Sequence, residues 1–314
     1  MTSEFQAAPV LSEPPRPASP PRQRAPAGAT DCHFHMLGPQ ERYPLSRTRG
    51  YTPAPEANLK NYLQVAETLG LDRMVIVQPV AYGMDHACTV DTLEMLGRHR
   101  AKAVAVIDRS FDASAVRRLD EQGFCGARVN SITPNSTGLD QLVDVAWLIA
   151  PLGWHVQVFT RDRELSFIEN LLPSLPVSVV IDHMGHIPTS RGVESPEFQR
   201  LLRLLDSGRC WVKLCGYRSS TQGPPYDDLL PMARTLIERA PERCVWGTDW
   251  PHTNMFGRLL PDDGGLLDLF CDWAHGPEQV HRILVDNPAE LYGFSGDPAA
   301  LRSGIGQERA IASS

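Results

Sequence analysis

VSVVID, residues 177–182, is followed at once by His183. Its valines and isoleucine present apolar side chains to both faces, the mark of a parallel strand buried on both sides. Similar short runs occur at 29–33, 73–78, 103–107, 126–130, 154–159, 210–214 and 244–248. Amphipathic stretches separate them. Residues 56–69 place Leu59, Leu63, Ala66 and Leu69 on one helical face, with Gly70 as a stop signal. Residues 140–152 and 195–205 behave alike, and 227–240 gathers Leu230, Ala233, Leu236 and Ile237. Strand–helix alternation of this kind predicts βα units with right-handed crossovers. Eight such units close most naturally as an α/β fold of the (β/α)8 TIM-barrel type, which typically takes about 250 residues. An open doubly wound sheet is the structural alternative, but no G-x-G-x-x-G follows the first strand.

The barrel is expected to occupy residues 29–297 of the 314-residue chain. Prolines at 9, 14, 15, 17, 20, 21 and 26 make residues 1–28 a disordered or extended arm, because proline donates nothing to a sheet. Residues 298–314 read as a flexible tail. The net charge of −7 offers no basic stripe for nucleic acid. A small anionic ligand remains compatible with that charge, since one or two local arginines outweigh it at short range. No apolar run is long enough for a membrane span, and no secretory pattern opens the chain. Seven cysteines without a C-x-x-C pair read as reduced core thiols of a cytoplasmic protein.

In such a barrel the chemistry sits at the C-terminal ends of the strands. The first strand ends in Asp31-Cys32-His33-Phe34-His35, whose two histidines, two apart, point to the same side. The sixth ends in Asp182-His183 and the eighth in Thr248-Asp249-Trp250-Pro251-His252. One strand-end histidine would be weak evidence. Three imidazoles and a carboxylate delivered to one rim form a candidate catalytic set: His33, His35, His183 and Asp249.

H-x-H after strand one, His after strand six and Asp after strand eight together resemble the amidohydrolase superfamily. DCHFHMLGP at 31–39, VIVQ at 75–78, IDHMG at 181–185, GPPYDD at 223–228, WGTDWPHTNM at 246–255 and PDDG at 261–264 further resemble the 2-pyrone-4,6-dicarboxylate lactonase family. The resemblance spans nearly the whole expected barrel. It implies a hydrolase that opens a cyclic ester without a metal. It also implies that Arg128 and Arg218 bind a substrate carboxylate, that Tyr51 covers the ligand from the first loop, and that Gln78 belongs to the substrate site. For Tyr51 a packed loop aromatic is the plain alternative. For His252 the choice is between supporting the site and starting a helix.

The residues themselves leave the metal question open. His33, His35 and Asp249 can ligate one divalent ion such as zinc or manganese, with His183 or water completing the shell. Gln157 is a poor zinc ligand, His155 lies early in its strand, and Lys213 suits a structural or substrate role better than carbamylation. In the expected mechanism Asp249 deprotonates water, His33, His35 and His183 stabilise the oxyanion, and Asp249 returns the proton to the leaving ring oxygen.

Departures from the family limit the substrate's identity. Pro79-Val80-Ala81-Tyr82 stands where the family has small polar residues, Ser131-Ile132-Thr133-Pro134 lacks a basic side chain, and Phe159 replaces a tyrosine. A muconolactone-like or sugar-acid lactone therefore stands beside a pyrone. The rival readings are a lactone isomerase, a metal-dependent decarboxylase and an inactive acid-binding barrel. The pairs Asp227-Asp228 and Asp262-Asp263 are expected at helix starts.

Overall fold

The computed structural model describes residues 11–296. Eight parallel strands follow one another in chain order around one sheet: β1 (Thr30–Phe34), β2 (Arg73–Val77), β3 (Ala101–Ala105), β4 (Phe124–Asn130), β5 (His155–Phe159), β6 (Val179–Ile181), β7 (Cys210–Lys213) and β8 (Cys244–Val245). Helices α1 (Leu59–Leu69), α2 (Ala87–Leu96), α3 (Ala113–Gln122), α4 (Leu142–Ile149), α5 (Leu165–Leu171), α6 (Pro196–Asp206) and α7 (Leu230–Arg239) lie between them, and α8 (Asp263–Trp273) follows β8. Backbone bonds join the last strand to the first: Cys32 N–H to Trp246 O (2.9 Å), Asp249 N–H to His33 O (2.7 Å) and His35 N–H to Trp250 O (2.8 Å). The sheet is thus a TIM barrel, and the open-sheet alternative falls.

At the seam the β8 ladder is shorter than the expected 244–248, because a side chain substitutes for it. The Asp31 carboxylate accepts from Thr248 N–H (3.0 Å), the Thr248 hydroxyl (2.7 Å), His33 N–H (3.0 Å) and the Tyr62 hydroxyl (2.9 Å). Burial raises the Asp31 pKa to about 6 even against those donors. Gly247 permits the close approach, since a Cβ there would meet the His33 backbone.

Helix ends follow local chemistry. The Asn58 side chain accepts from Asn61 N–H, so α1 starts later than the periodicity suggests, and it ends at Gly70 in the left-handed region (φ 84°). Residues 139–141 and 150–152 are 3-10 turns that flank α4 within the expected 140–152 helix. Asp262 caps α8 as expected, accepting from Gly264 N–H. Asp227 and Asp228 open a 3-10 turn before α7. All seven cysteines are free. Among the described residues no helix is long and apolar enough to cross a membrane.

Of the two readings of the N-terminal arm, disordered or extended, the described residues 11–28 follow the extended one. Ser12 N–H reaches Thr52 O (2.8 Å), Arg16 reaches Leu260 O (3.2 Å), and Ser19 N–H reaches Asp262 (2.8 Å). Arg22 bonds Asp268 and Asp272, and Ala25 N–H reaches Leu69 O (2.8 Å). The residues between the prolines keep enough donors to tie the arm along α8 and α1. Residues 1–10 and the tail at 298–314 lie outside the described residues.

Gly264 lets the arm pass, because a Cβ there would collide with the Ser19 carbonyl oxygen. Gly264→Val is expected to cost about 1–3 kcal/mol of stability through overpacking and to expose residues 11–28 to protease. Denaturant unfolding and limited proteolysis check this; an unchanged cleavage pattern would contradict the packed arm.

Candidate active site

The strand ends turn sharply at the rim. His183 (φ 50°), Met184 (φ 53°), His186 (φ 53°), Asp249 (φ 62°) and His252 (φ 63°) all occupy the left-handed region. Such positions cost on the order of 1–3 kcal/mol each for a residue with a Cβ and cluster where function over-determines geometry. The bonds Asp249 N–H to His33 O and His252 N–H to Asp249 O (2.9 Å) hold the β8 turn in place.

The expected set converges. Asp249 Oδ1 lies 3.6 Å from His33 Nε2, 3.7 Å from His35 Nε2 and 4.0 Å from His183 Nε2, and all four side chains are buried. The other oxygen, Oδ2, accepts from the Tyr217 hydroxyl and from Arg218 Nε, each at 2.5 Å. Burial pushes the Asp249 pKa up, but the Arg218 guanidinium beside it outweighs burial and holds the carboxyl well below its usual range. It is a carboxylate throughout the neutral range.

The imidazoles are neutral. Burial lowers the His35 pKa to about 4 and that of His183 to about 3, and takes His33 well below its ordinary value. His35 Nδ1 lies 2.8 Å from Val77 O, a carbonyl that only accepts, so Nδ1 carries the proton and Nε2 a lone pair. His33 Nδ1 faces Asp182 Oδ1 at 3.5 Å, which places its proton on the same side. Two nitrogen lone pairs and an unpartnered carboxylate oxygen therefore point at one spot. Water has only two hydrogens for three acceptors.

A small cation suits that spot. Ligand atoms bonded tetrahedrally at about 2.1 Å sit roughly 3.4 Å apart, close to the separations seen. His33, His35 and Asp249 bring one ligand atom each within 4.8 Å of one another. Lys213 is not a ligand: its ammonium donates to Gln157 Oε1 and Cys32 O, both at 2.8 Å.

A cavity of about 220 Å³ opens above the cluster. His35, His183 and Asp249 form its reactive wall, while His33 lies behind them. Arg128, Arg218 and Tyr51 reach it as expected. Arg128 is itself braced by Asp182, with Nε at 2.9 Å and a terminal nitrogen at 2.8 Å, and its guanidinium lies 4.8 Å above the Phe159 ring. Ile132, Val80 and Phe159 give the cavity apolar surface, so the departures noted in the sequence fall on its wall.

Gln78 and His252 stand outside the cavity lining. The Gln78 amide donates to Gly83 O (3.1 Å) and Asp85 O (2.8 Å) and accepts from Thr89 (2.7 Å), so it is fully used in holding the β2–α2 loop. His252 packs edge-on against Tyr217, with Nε2 3.1 Å from Asp263, and supports the site from behind. Sequence reading missed Tyr217 as a donor to Asp249, Asp182 as the brace for Arg128 and His33, and His186, Asn254 and Thr253 on the cavity wall. Tyr217 and Asp182 adjoin Arg218 and His183 in the chain, the one signal that marked them.

The amidohydrolase family's sequence profile, described as Amidohydrolase, matches residues 30–294. The chain belongs to the amidohydrolase family. It is 37% identical over 283 residues to a 4-sulfomuconolactone hydrolase of Hydrogenophaga intermedia, covering 88% of this chain and 92% of the relative. It is 36% identical over 286 residues to a 2-pyrone-4,6-dicarboxylate hydrolase of Comamonas testosteroni, covering 87% and 93%. A D-galactarolactone isomerase of Agrobacterium fabrum is 32% identical over 279 residues, covering 88% and 94%. Within this amidohydrolase His33, His35, His183 and Asp249 are the residues that converge.

Proposed function

We propose that this amidohydrolase hydrolyses a small carboxylated lactone of the pyrone or muconolactone type, in aromatic-compound breakdown. The main support is a single cavity that joins the unpartnered Asp249 Oδ1 to two guanidiniums, Arg128 and Arg218. The names of the relatives at 36–37% identity agree with it. The isomerase reading, in which Asp249 would face a substrate hydroxyl, has its counterpart in the less similar relative.

Arg128 and Arg218 take the substrate's acidic group on the guanidinium edges that Asp182 and Asp249 leave free. Phe159 and Ile132 face the ring, and Tyr51 covers it. Asp249 Oδ1 accepts the water proton and returns it to the departing ring oxygen. His183, whose tautomer no hydrogen bond fixes, is the imidazole able to turn an N–H toward the carbonyl oxygen. His33 and His35, with lone pairs inward, are not the donors expected from sequence.

We further infer that the cluster holds one divalent cation, in place of the metal-free site implied by resemblance. His33, His35 and Asp249 would hold it, with His183 adjoining. When bound it would polarise the lactone carbonyl and acidify water.

The arginine assignment is tested from the substrate side. A pyrone or furanone carboxylate is expected to be opened with kcat/KM about tenfold to a hundredfold above its methyl ester, the equivalent of one charged hydrogen bond. Loss of ring absorbance measures both. Equal rates for acid and ester would remove the arginines from recognition.

A further inference from the structure

We infer that Cys215 supplies a sulfur ligand to the cation site, which makes that site select a thiophilic ion such as zinc over manganese or magnesium. The inference rests on the cation reading above and extends it to a residue outside the family's histidine and aspartate pattern.

Cys215 lies two residues beyond Lys213 at the end of β7, between the strand ends that carry His183 and Asp249. It is buried, with 2% of its surface exposed. His33, His183 and Cys215 bring one ligand atom each within 4.8 Å of one another. This triad shares His33 with the His33, His35 and Asp249 triad, and His183 Nε2 is only 4.0 Å from Asp249 Oδ1. The two triads are neighbouring sets of donors that meet at His33, with Cys215 beside His33 and His183. His33 and His183 both carry buried ring nitrogens without a hydrogen-bond partner.

Of the other buried thiols, Cys32, Cys88 and Cys244 direct S–H at a backbone carbonyl, at 3.9, 4.0 and 3.7 Å, and Cys210, which is in neither triad, does not. Among the described residues the Cys215 thiol has no such carbonyl. A cation at this site would replace S–H by a sulfur–metal bond and release one proton to solvent. Thiolate is a soft ligand that favours zinc, whereas manganese and magnesium prefer oxygen. An all-nitrogen-and-oxygen site would discriminate less.

Cobalt(II) reports sulfur ligation directly. Protein stripped with a chelator and dialysed is titrated with cobalt. One ion per chain is expected, with a near-ultraviolet sulfur-to-cobalt charge-transfer band beside the visible ligand-field bands. Cys215→Ser should lose the charge-transfer band and keep the visible bands, while Cys32→Ser keeps both. By competition, Cys215→Ser should weaken zinc binding about tenfold or more and change manganese binding less than about twofold. A wild-type cobalt complex without the charge-transfer band, or a band that survives in Cys215→Ser, overturns the role of Cys215 and leaves the cation reading standing. Failure to bind cobalt at all overturns both. The wild-type spectrum decides even if a variant does not fold.

Discussion

Asp249→Asn is expected to lower kcat by about 10²–10⁴, the range a positioned base contributes, with KM changed only a few-fold. The reason lies in how the two carboxylate oxygens differ. Tyr217 and Arg218 both donate to Oδ2, so an asparagine keeps its carbonyl oxygen there. Its amide nitrogen then stands at the Oδ1 position, facing the imidazole lone pairs. The substitution converts the carboxylate proton acceptor on the cavity wall into a donor and leaves the surrounding shape intact. Steady-state kinetics on a carboxylated lactone reads the effect. A variant that keeps most of its kcat would remove Asp249 from the chemistry.

Asp182→Ala is expected to destabilise the fold by about 3–5 kcal/mol, the usual cost of leaving a buried charge without its partner. Asp182 Oδ2 accepts from Arg128 and from Gln157 Nε2 (2.9 Å), and Oδ1 faces Lys213 at 3.7 Å and His33 at 3.5 Å. Burial raises the Asp182 pKa, but Arg128 and Lys213 overcome it and hold the carboxyl well below the usual range. Without this carboxylate two cations remain inside the barrel. Urea unfolding gives the difference from the midpoint and slope. A loss of less than about 1 kcal/mol, typical of an exposed pair, would contradict a buried keystone at this position.

The barrel was legible because its signal is repeated. Short apolar runs alternate with amphipathic stretches along the chain, and several of the runs are the near-continuous Val/Ile type of a strand buried on both faces. The candidate set was legible because residue type and place coincide: His33, His35, His183 and Asp249 all stand at strand ends. What sequence could not give is pairing across the fold. Asp182 and Arg128 are 54 residues apart, and nothing local says that their side chains meet. Gln78 was placed at the substrate site by the resemblance alone, and Gly83, Asp85 and Thr89 consume its amide. The proline-rich arm read as disordered or extended because prolines cannot join a sheet. It is held by the residues between them, whose partners are distant in the chain, as Ser12 with Thr52 and Ser19 with Asp262 show. The tautomers of His33 and His35, which turn their lone pairs inward, depend on Asp182 and Val77 and leave no trace in the order of residues.

The most direct measurement is the mass of the product formed from a carboxylated lactone in heavy-oxygen water. Hydrolysis at Asp249 requires the product to gain one molecule of water, with the heavy oxygen in the newly formed carboxylate. A product of unchanged mass and no label, or one lighter by carbon dioxide, would contradict water attack as the reaction of this site.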